Sequence, residues 1–224
     1  MKFLFGIPYY LNQIDPTSYQ KDKIVSVIEE NYRRSSLRNS WEANIDNKIH
    51  QSYQDEQNEK FLSIDYSELI PIYTQEVDKF LHQLPLKNPL PYRLEITNYT
   101  ATKNDQSLLF HHHIPSLFYC IHYLKFDPKV HNPTLHQNSH RFADYLSVMY
   151  SKELFNIFDD NYVENSWLYT DYSLKTQEDD FLIVPSTIFH KIKESSSDLL
   201  RCTIAMNVYL DTSEQSMIQM YSNS

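Results

Sequence analysis

A chain of 224 residues, 41% hydrophobic and 22% charged, is long enough for one sizeable core and too evenly mixed for a fibrous repeat or a disordered tail. Its 20 basic and 29 acidic side chains leave a net charge of −9, which repels a phosphate backbone and disfavours nucleic acid as a partner. A single glycine, Gly6, rules out a P-loop or a glycine-rich dinucleotide cradle, and two cysteines, Cys120 and Cys202, make no disulfide framework and point to a reducing compartment.

Near the N-terminus, Pro8 breaks the apolar opening before a leader or membrane segment can form, so a cytoplasmic protein without a membrane partner is expected. Residues 18–32 carry Ile24, Val25, Val27, Ile28 and Tyr32 at helical spacing. A second helix is predicted over 67–84, where Leu69, Ile72, Tyr73, Val77, Phe80 and Leu81 form an apolar stripe. Asp65 and Glu68 read as its capping box, and Pro71 falls early enough for the first turn. After Pro85 the chain turns to short β-rich segments bounded by Asn, Asp, Pro and Ser. Strands are predicted at 92–102, 108–113, 117–126, 167–175, 181–184, 190–193 and 199–209, with an inserted helix over 139–161. The expected architecture is a mainly β, α+β single domain over 1–224. Residues 1–85 would be the helical support, 86–212 a double-sheet jelly roll or barrel, and 213–224 a tail.

Two constellations carry chemistry. His111, His112 and His113 are consecutive, and extended backbone would point His111 and His113 to one face and His112 to the other. Two imidazoles at that spacing can chelate a transition metal, although the triplet alone fits a polar surface loop equally well. The second runs from Asp180 through Pro185 and Ser186 to His190, and continues in residues 199–209. Alternation there puts Arg201, Thr203, Ala205 and Asn207 on one face and Cys202, Ile204, Met206 and Val208 on the other. If the first face is internal, the Arg201 guanidinium needs an anion, such as a small dicarboxylate; if it is external, Arg201 is a surface residue. The remaining histidines read as background. His122 falls in an apolar strand, and His131, His136 and His140 fall in a loop-like stretch where exposed side chains are expected.

Together these stretches resemble the 2-oxoglutarate- and Fe(II)-dependent oxygenase superfamily, specifically its small members from marine bacteria and their viruses. The resemblance rests on Phe5-Gly6-Ile7-Pro8, Ile49-His50-Gln51-Ser52-Tyr53, Glu95-Ile96-Thr97-Asn98-Tyr99 and His111-His112-His113-Ile114-Pro115-Ser116 leading into His122-Tyr123-Leu124. Its specific part is Asp180-Phe181-Leu182-Ile183-Val184-Pro185-Ser186 with His190, then Arg201-Cys202-Thr203 and Met206-Asn207. It implies a double-stranded β-helix, jelly-roll and cupin-like, with N-terminal helices against one sheet. It also implies Fe(2+) on His111, His113 and His190, with 2-oxoglutarate clamped by Arg201 and Thr203 and flanked by Asn98 and Tyr119. The implied activity is hydroxylation by O2 with release of succinate and CO2; the host cytoplasm is the expected location for a viral gene, and the N-terminal helices offer a homodimer contact. Two positions depart from the family pattern. His113 stands where an acidic metal ligand is usual, and Asp179 stands where glycine usually precedes the strand. The first departure keeps an alternative open, a catalytically altered or inactive jelly-roll metal-binding or interaction module. A cupin of other chemistry fits less well, because Leu117, Phe118 and Glu194 occupy the places of its Glu and Asn.

Overall fold

Both predicted helices form where their apolar stripes can be covered. The computed structural model describes residues 7–34, 50–51, 61–103, 106–137 and 171–213, with 50 and 51 as backbone only. Helix α1 (Lys21–Arg34) buries Ile24, Ile28 and Asn31; α2 (Leu69–Leu81) buries Leu69, Tyr73, Val77, Phe80 and Leu81 and accepts Pro71 as its third residue. The capping box does not form. Asp65 accepts from the Ser67 N–H at 2.9 Å, while the Glu68 carboxylate turns to the start of α1 and takes the Gln20 N–H and side-chain amide, both at 2.9 Å. Donors from a neighbouring element outcompete the local cap, and Glu68 joins the two helices instead.

The strands are β1 (Tyr10–Gln13), β2 (His50–Gln51), β3 (Tyr92–Thr102), β4 (Leu108–His111), β5 (Phe118–Lys125), β6 (Thr134–Gln137), β7 (Asp171–Ser173), β8 (Asp180–Pro185), β9 (His190–Ile192) and β10 (Arg201–Leu210). Every pairing is antiparallel, in a six-stranded sheet ordered β1-β8-β5-β10-β3-β2 and a four-stranded sheet ordered β4-β9-β6-β7. The strands β1, β2 and β6 were not anticipated, being too short to show a period of two. The predicted helix at 139–161, the tail beyond 213 and the start of the strand predicted at 167–175 lie outside the described residues.

The six-stranded sheet is two-sided. On one face Cys120, Leu124, Phe181, Ile183, Cys202, Ile204, Met206 and Val208 join the apolar stripes of both helices in the main core. Each large side chain fully withdrawn from water there contributes about 1.5–3 kcal/mol. The opposite face, with Tyr119, Ile121, Tyr123, Leu182 and Val184, turns towards the second sheet. The predicted alternation along β10 is met, with Cys202 to Val208 in the core and Arg201, Thr203, Ala205 and Asn207 on the inner face.

Two one-residue bulges break alternation where the inner face matters. Against β10, Asn98 pairs with Ala205 and Ile96 with Met206, so Thr97 is extra. The core side of β3 shifts from Leu94 and Ile96 to Tyr99 and Ala101, and both Thr97 and Asn98 reach the inner cavity. Against β9, Leu108 pairs with Ile192 and His111 with His190, three residues facing two. Strict alternation from Leu108 would turn His111 away; the extra residue turns it inward.

The turn into β8 solves the absence of glycine. Asp179 has φ 67°, a left-handed value that Asp visits more readily than most residues. Both of its carboxylate oxygens take Lys21 Nζ, at 2.6 and 2.8 Å, so the first residue of α1 holds the turn. At the far edge of the sheet, β1 is fastened through the buried Glu76, which accepts from Tyr10 Oη at 2.7 Å, Asn12 Nδ2 at 2.8 Å and Lys79 Nζ at 2.6 Å. Burial alone would raise the Glu76 carboxyl, but hydrogen bonds from Lys79, Asn12 and Tyr10 outweigh it and hold the group below its ordinary value. That contribution is present above the unfolded carboxyl pKa and is lost as acid protonates the folded group.

Hydrogen bonds to a charged acceptor contribute about 1.5–3 kcal/mol. Glu76→Ala should therefore lower the unfolding free energy by about 2–3 kcal/mol in a urea titration, and limited proteolysis should open the β1 segment first. An unchanged midpoint would mean that the ladder to β8 suffices.

Candidate metal and anion site

His111 ends β4, His190 begins β9, and the two are register partners across the second sheet. His113 lies two residues beyond β4, in a segment locked to the end of β8. Its N–H donates to Ser186 O at 3.2 Å, its carbonyl accepts from Ser116 Oγ at 2.6 Å, and Ser116 Oγ meets Ser186 Oγ at 2.6 Å. These contacts give the two Pro-Ser steps, at 115–116 and 185–186, a joint purpose that the sequence reading did not find. One ligand atom from each of His111, His113 and His190 lies within 4.8 Å of the others, a cluster that could hold a metal ion. His112 turns aside, exposed and edge-on to Phe189 with ring centroids 4.7 Å apart.

The hydrogen bonds of the rings select one tautomer. Nδ1 of His111 faces Leu109 O at 2.9 Å, and Nδ1 of His190 faces Ile188 O at 3.3 Å. A carbonyl only accepts, so in both rings Nδ1 carries the proton and Nε2 is the nitrogen that bears the lone pair. The third, Nδ1 of His113, faces Asn207 Oδ1 at 2.8 Å, while Asn207 Nδ2 donates to Tyr209 Oη at 3.1 Å. A ring whose one nitrogen is held by a carbonyl or an amide oxygen, so that the other bears the lone pair, is the arrangement that metal-binding histidines use. Burial, followed by the neighbouring imidazoles, pushes His113 down to about 4 and His190 well below its ordinary value. Both rings are neutral donors at pH 7. The donor set therefore fits a borderline transition metal such as Fe(II), with imidazole where a carboxylate is usual.

Next to the triad, Tyr119 stacks on His190 at 4.2 Å and on His113 at 5.1 Å between ring centroids. It is fully buried, its hydroxyl has no hydrogen-bond partner among the described residues, and it lies behind the rings without lining the cavity. Two further histidines are corrected by the structure. The expectation of exposure fails for His131, which is buried and holds the Asp127 N–H on Nδ1 and Leu199 O on Nε2. It fails equally for His136, the register partner of His190 on β6, which is buried beside Tyr119 and pushed down to about 4 by burial. His140 lies outside the described residues. His122 belongs to the helix side of the large sheet, 2.8 Å from Tyr73 Oη, away from the triad.

A cavity of about 300 Å³ opens beside the triad and runs between the sheets to Arg201. Its walls include Thr203, Asn98, Thr134 and Ile121. Arg201 is 2% exposed, so the alternative of a surface arginine is excluded. Its contacts are long: Nη2 lies 3.4 Å from Thr134 Oγ1, and the guanidinium carbon sits 5.5 and 5.7 Å from the ring centres of Tyr123 and Phe126. Among the described residues, Nε and Nη1 have no hydrogen-bond partner. Thr134, which also accepts from Tyr123 Oη at 2.9 Å, was missed by sequence reasoning because β6 was not recognised as a strand. A buried cation with unused donors at the end of an open cavity is a receptor for an anion.

No family model matches this sequence, and no curated protein matches it. Among solved structures, the non-heme α-ketoglutarate-dependent carbocyclase SnoK of nogalamycin biosynthesis is similar with a TM-score of 0.55 at 13% identity, over 92% of this chain and 80% of its own. HygX from Streptomyces hygroscopicus, with nickel and 2-oxoglutarate bound, gives 0.50 at 11% identity over 92% and 84%. A Pseudomonas putida prolyl-4-hydroxylase gives 0.50 at 8% identity over 91% and 93%. The fold is thus shared with 2-oxoglutarate/Fe(II) oxygenases.

Because two of the three candidate ligands are already uncharged, Zn(II) binding at pH 5.5 should release at most one proton per ion in calorimetry across buffers of different ionisation heat. Protons compete with metal, so affinity declines as pH falls, but by no more than about tenfold per pH unit for one displaced proton. A release of three protons would refute the neutral, preformed triad.

Proposed function

We propose that this chain is an Fe(II)- and 2-oxoglutarate-dependent oxygenase on a double-stranded β-helix, hydroxylating its substrate with O2 and releasing succinate and CO2. The observation that carries this reading is the coexistence, in one cavity, of three converging imidazoles and a buried guanidinium with unused N–H donors. A metal-binding interaction module would account for the histidines and leave Arg201 unexplained. The fold shared with SnoK and with HygX, a protein seen with 2-oxoglutarate, supports the same reading.

In it, His111, His113 and His190 hold Fe(II), which supplies the redox chemistry that couples decarboxylation of the keto acid to oxidation of a C–H bond. Arg201 takes the distal carboxylate of 2-oxoglutarate through the donors that lack a partner, and Thr203 and Thr134 add hydroxyls beside it. Because Arg201 and the triad line the same cavity, the keto acid would span it from the guanidinium to the imidazoles. Asn98 lines the wall, and Tyr119 fixes the His190 and His113 rings by stacking. Asn207 holds the His113 tautomer. The apolar walls, Leu108, Ile121 and Ile192, exclude water from the space between the charged ends.

Anaerobic addition of Fe(II) and 2-oxoglutarate should produce the weak visible charge-transfer band of the chelate. Removing one partner of a buried charge pair costs about 2–5 kcal/mol, so Arg201→Ala should weaken 2-oxoglutarate binding by roughly 30-fold to several thousand-fold. His190→Ala should remain folded and bind metal more than about 100-fold more weakly. No band in the unaltered protein, or the same band and affinity in Arg201→Ala, would refute the cosubstrate assignment.

A further inference from the structure

An acid at position 113 would bring a negative charge to the metal; an imidazole brings none. Among the described residues, no Asp or Glu lines the cavity. Glu95, whose backbone pairs with Asn207 near the mouth, is not in the lining and is bound to Arg93 at 2.9 Å. A divalent metal and Arg201 together carry three positive charges, and 2-oxoglutarate supplies two negative ones. One positive charge is left over in a low-dielectric cavity, beside the metal, where an acidic ligand would have cancelled it.

We infer that the primary substrate is an anion, a small molecule that presents a carboxylate to the metal-facing mouth of the cavity. The inference rests on the cosubstrate reading above and adds the substrate class. The cavity that holds His111 and His113 is also lined by donors for such a group, the Asn98 amide and the Tyr209 hydroxyl, which accepts from Asn207 Nδ2 at 3.1 Å and keeps its own proton to donate. A neutral substrate would leave the excess charge to be balanced by a small anion or by hydroxide from solvent. An anionic one balances it on binding, so His113 also acts as a specificity determinant.

The test uses the full chain loaded with Co(II), whose visible absorption reports changes at the metal, first with 2-oxoglutarate and then with formate, formamide or inorganic phosphate as probes. Formate should perturb the spectrum of the 2-oxoglutarate complex saturably, and the isosteric but uncharged formamide should not. In His113→Asp, or in His113→Glu if the aspartate variant binds Co(II) poorly, formate should bind at least tenfold more weakly. Absence of a formate response in the unaltered protein, equal responses to formate and formamide, or equal formate affinity in the acidic variant would overturn the inference while leaving the cosubstrate assignment intact. A response to phosphate alone would overturn the carboxylate class. Failure of 2-oxoglutarate itself to bind the Co(II) protein would instead sink the cosubstrate assignment, and the inference with it.

Discussion

Withdrawing a guanidinium from water is costly by several kcal/mol unless acceptors replace the lost hydration, and the described neighbours of Arg201 replace only part of it. One hydroxyl at 3.4 Å and two aromatic ring faces surround a group with five N–H donors. The fold tolerates this because Arg201 begins the strand with the most extensive pairing, β10, laddered on both sides to β3 and β5. The next residues outward, Cys202, Ile204, Met206 and Val208, are sunk in the main core under both helices. Packing on one face of β10 thus offsets an unfavourable charge on the other, and what is left is a donor array fixed before any ligand arrives. Such preorganisation lowers the ordering cost of binding, which is where affinity for a small anion is most easily lost.

The sequence made β10 legible because large apolar residues recur at every second position, Cys202, Ile204, Met206 and Val208, with Arg201, Thr203, Ala205 and Asn207 between them, and the structure keeps that order. The bulges in β3 and β4 were not legible, because an extra residue leaves no mark on local composition and shows only when the partner strand is known. Thr97 and Asn98 both reach the cavity, and His111 turns inward, for that reason. The same holds for His136. Four residues, Thr134 to Gln137, within a stretch rich in Asn and Pro look like a loop until β9 and β7 flank them. Glu68 offered a strong local capping signal and went elsewhere, since Gln20, just before the first helix, supplied two donors at once. In each case the deciding contact is remote in sequence.

Scarcity of glycine has a consequence that runs from the first helix to the site. Asp179 adopts a left-handed φ with a side chain, and that side chain is then available to Lys21. A glycine would have eased the turn and given up the ion pair, whose partners are mostly shielded, with side-chain exposures of 14% and 10%. Through it α1 is anchored to the start of β8. The other end of β8 carries Pro185 and Ser186, which fix His113, and the chain then returns at His190. Placement of two of the three imidazoles is therefore continuous with the packing of a helix on the opposite face of the sheet.

That continuity matters more for three imidazoles than for a set containing a carboxylate. A charged ligand is drawn to the metal over a distance, whereas neutral rings gain little until the ion is within bonding range, so they have to be held in advance. Here all three rings are held on one side, and two of them are held again. Backbone carbonyls or Asn207 hold the Nδ1 side, and Tyr119 stacks on two of the three faces. The stacking is nearly parallel, with interplanar angles of 19° to His190 and 22° to His113, so one buried aromatic residue sets the tilt of both rings. With an ion on this cluster, rigidity would stand in for the attraction of a negative ligand, and the charge that rigidity cannot remove would fall to the anions that enter the cavity.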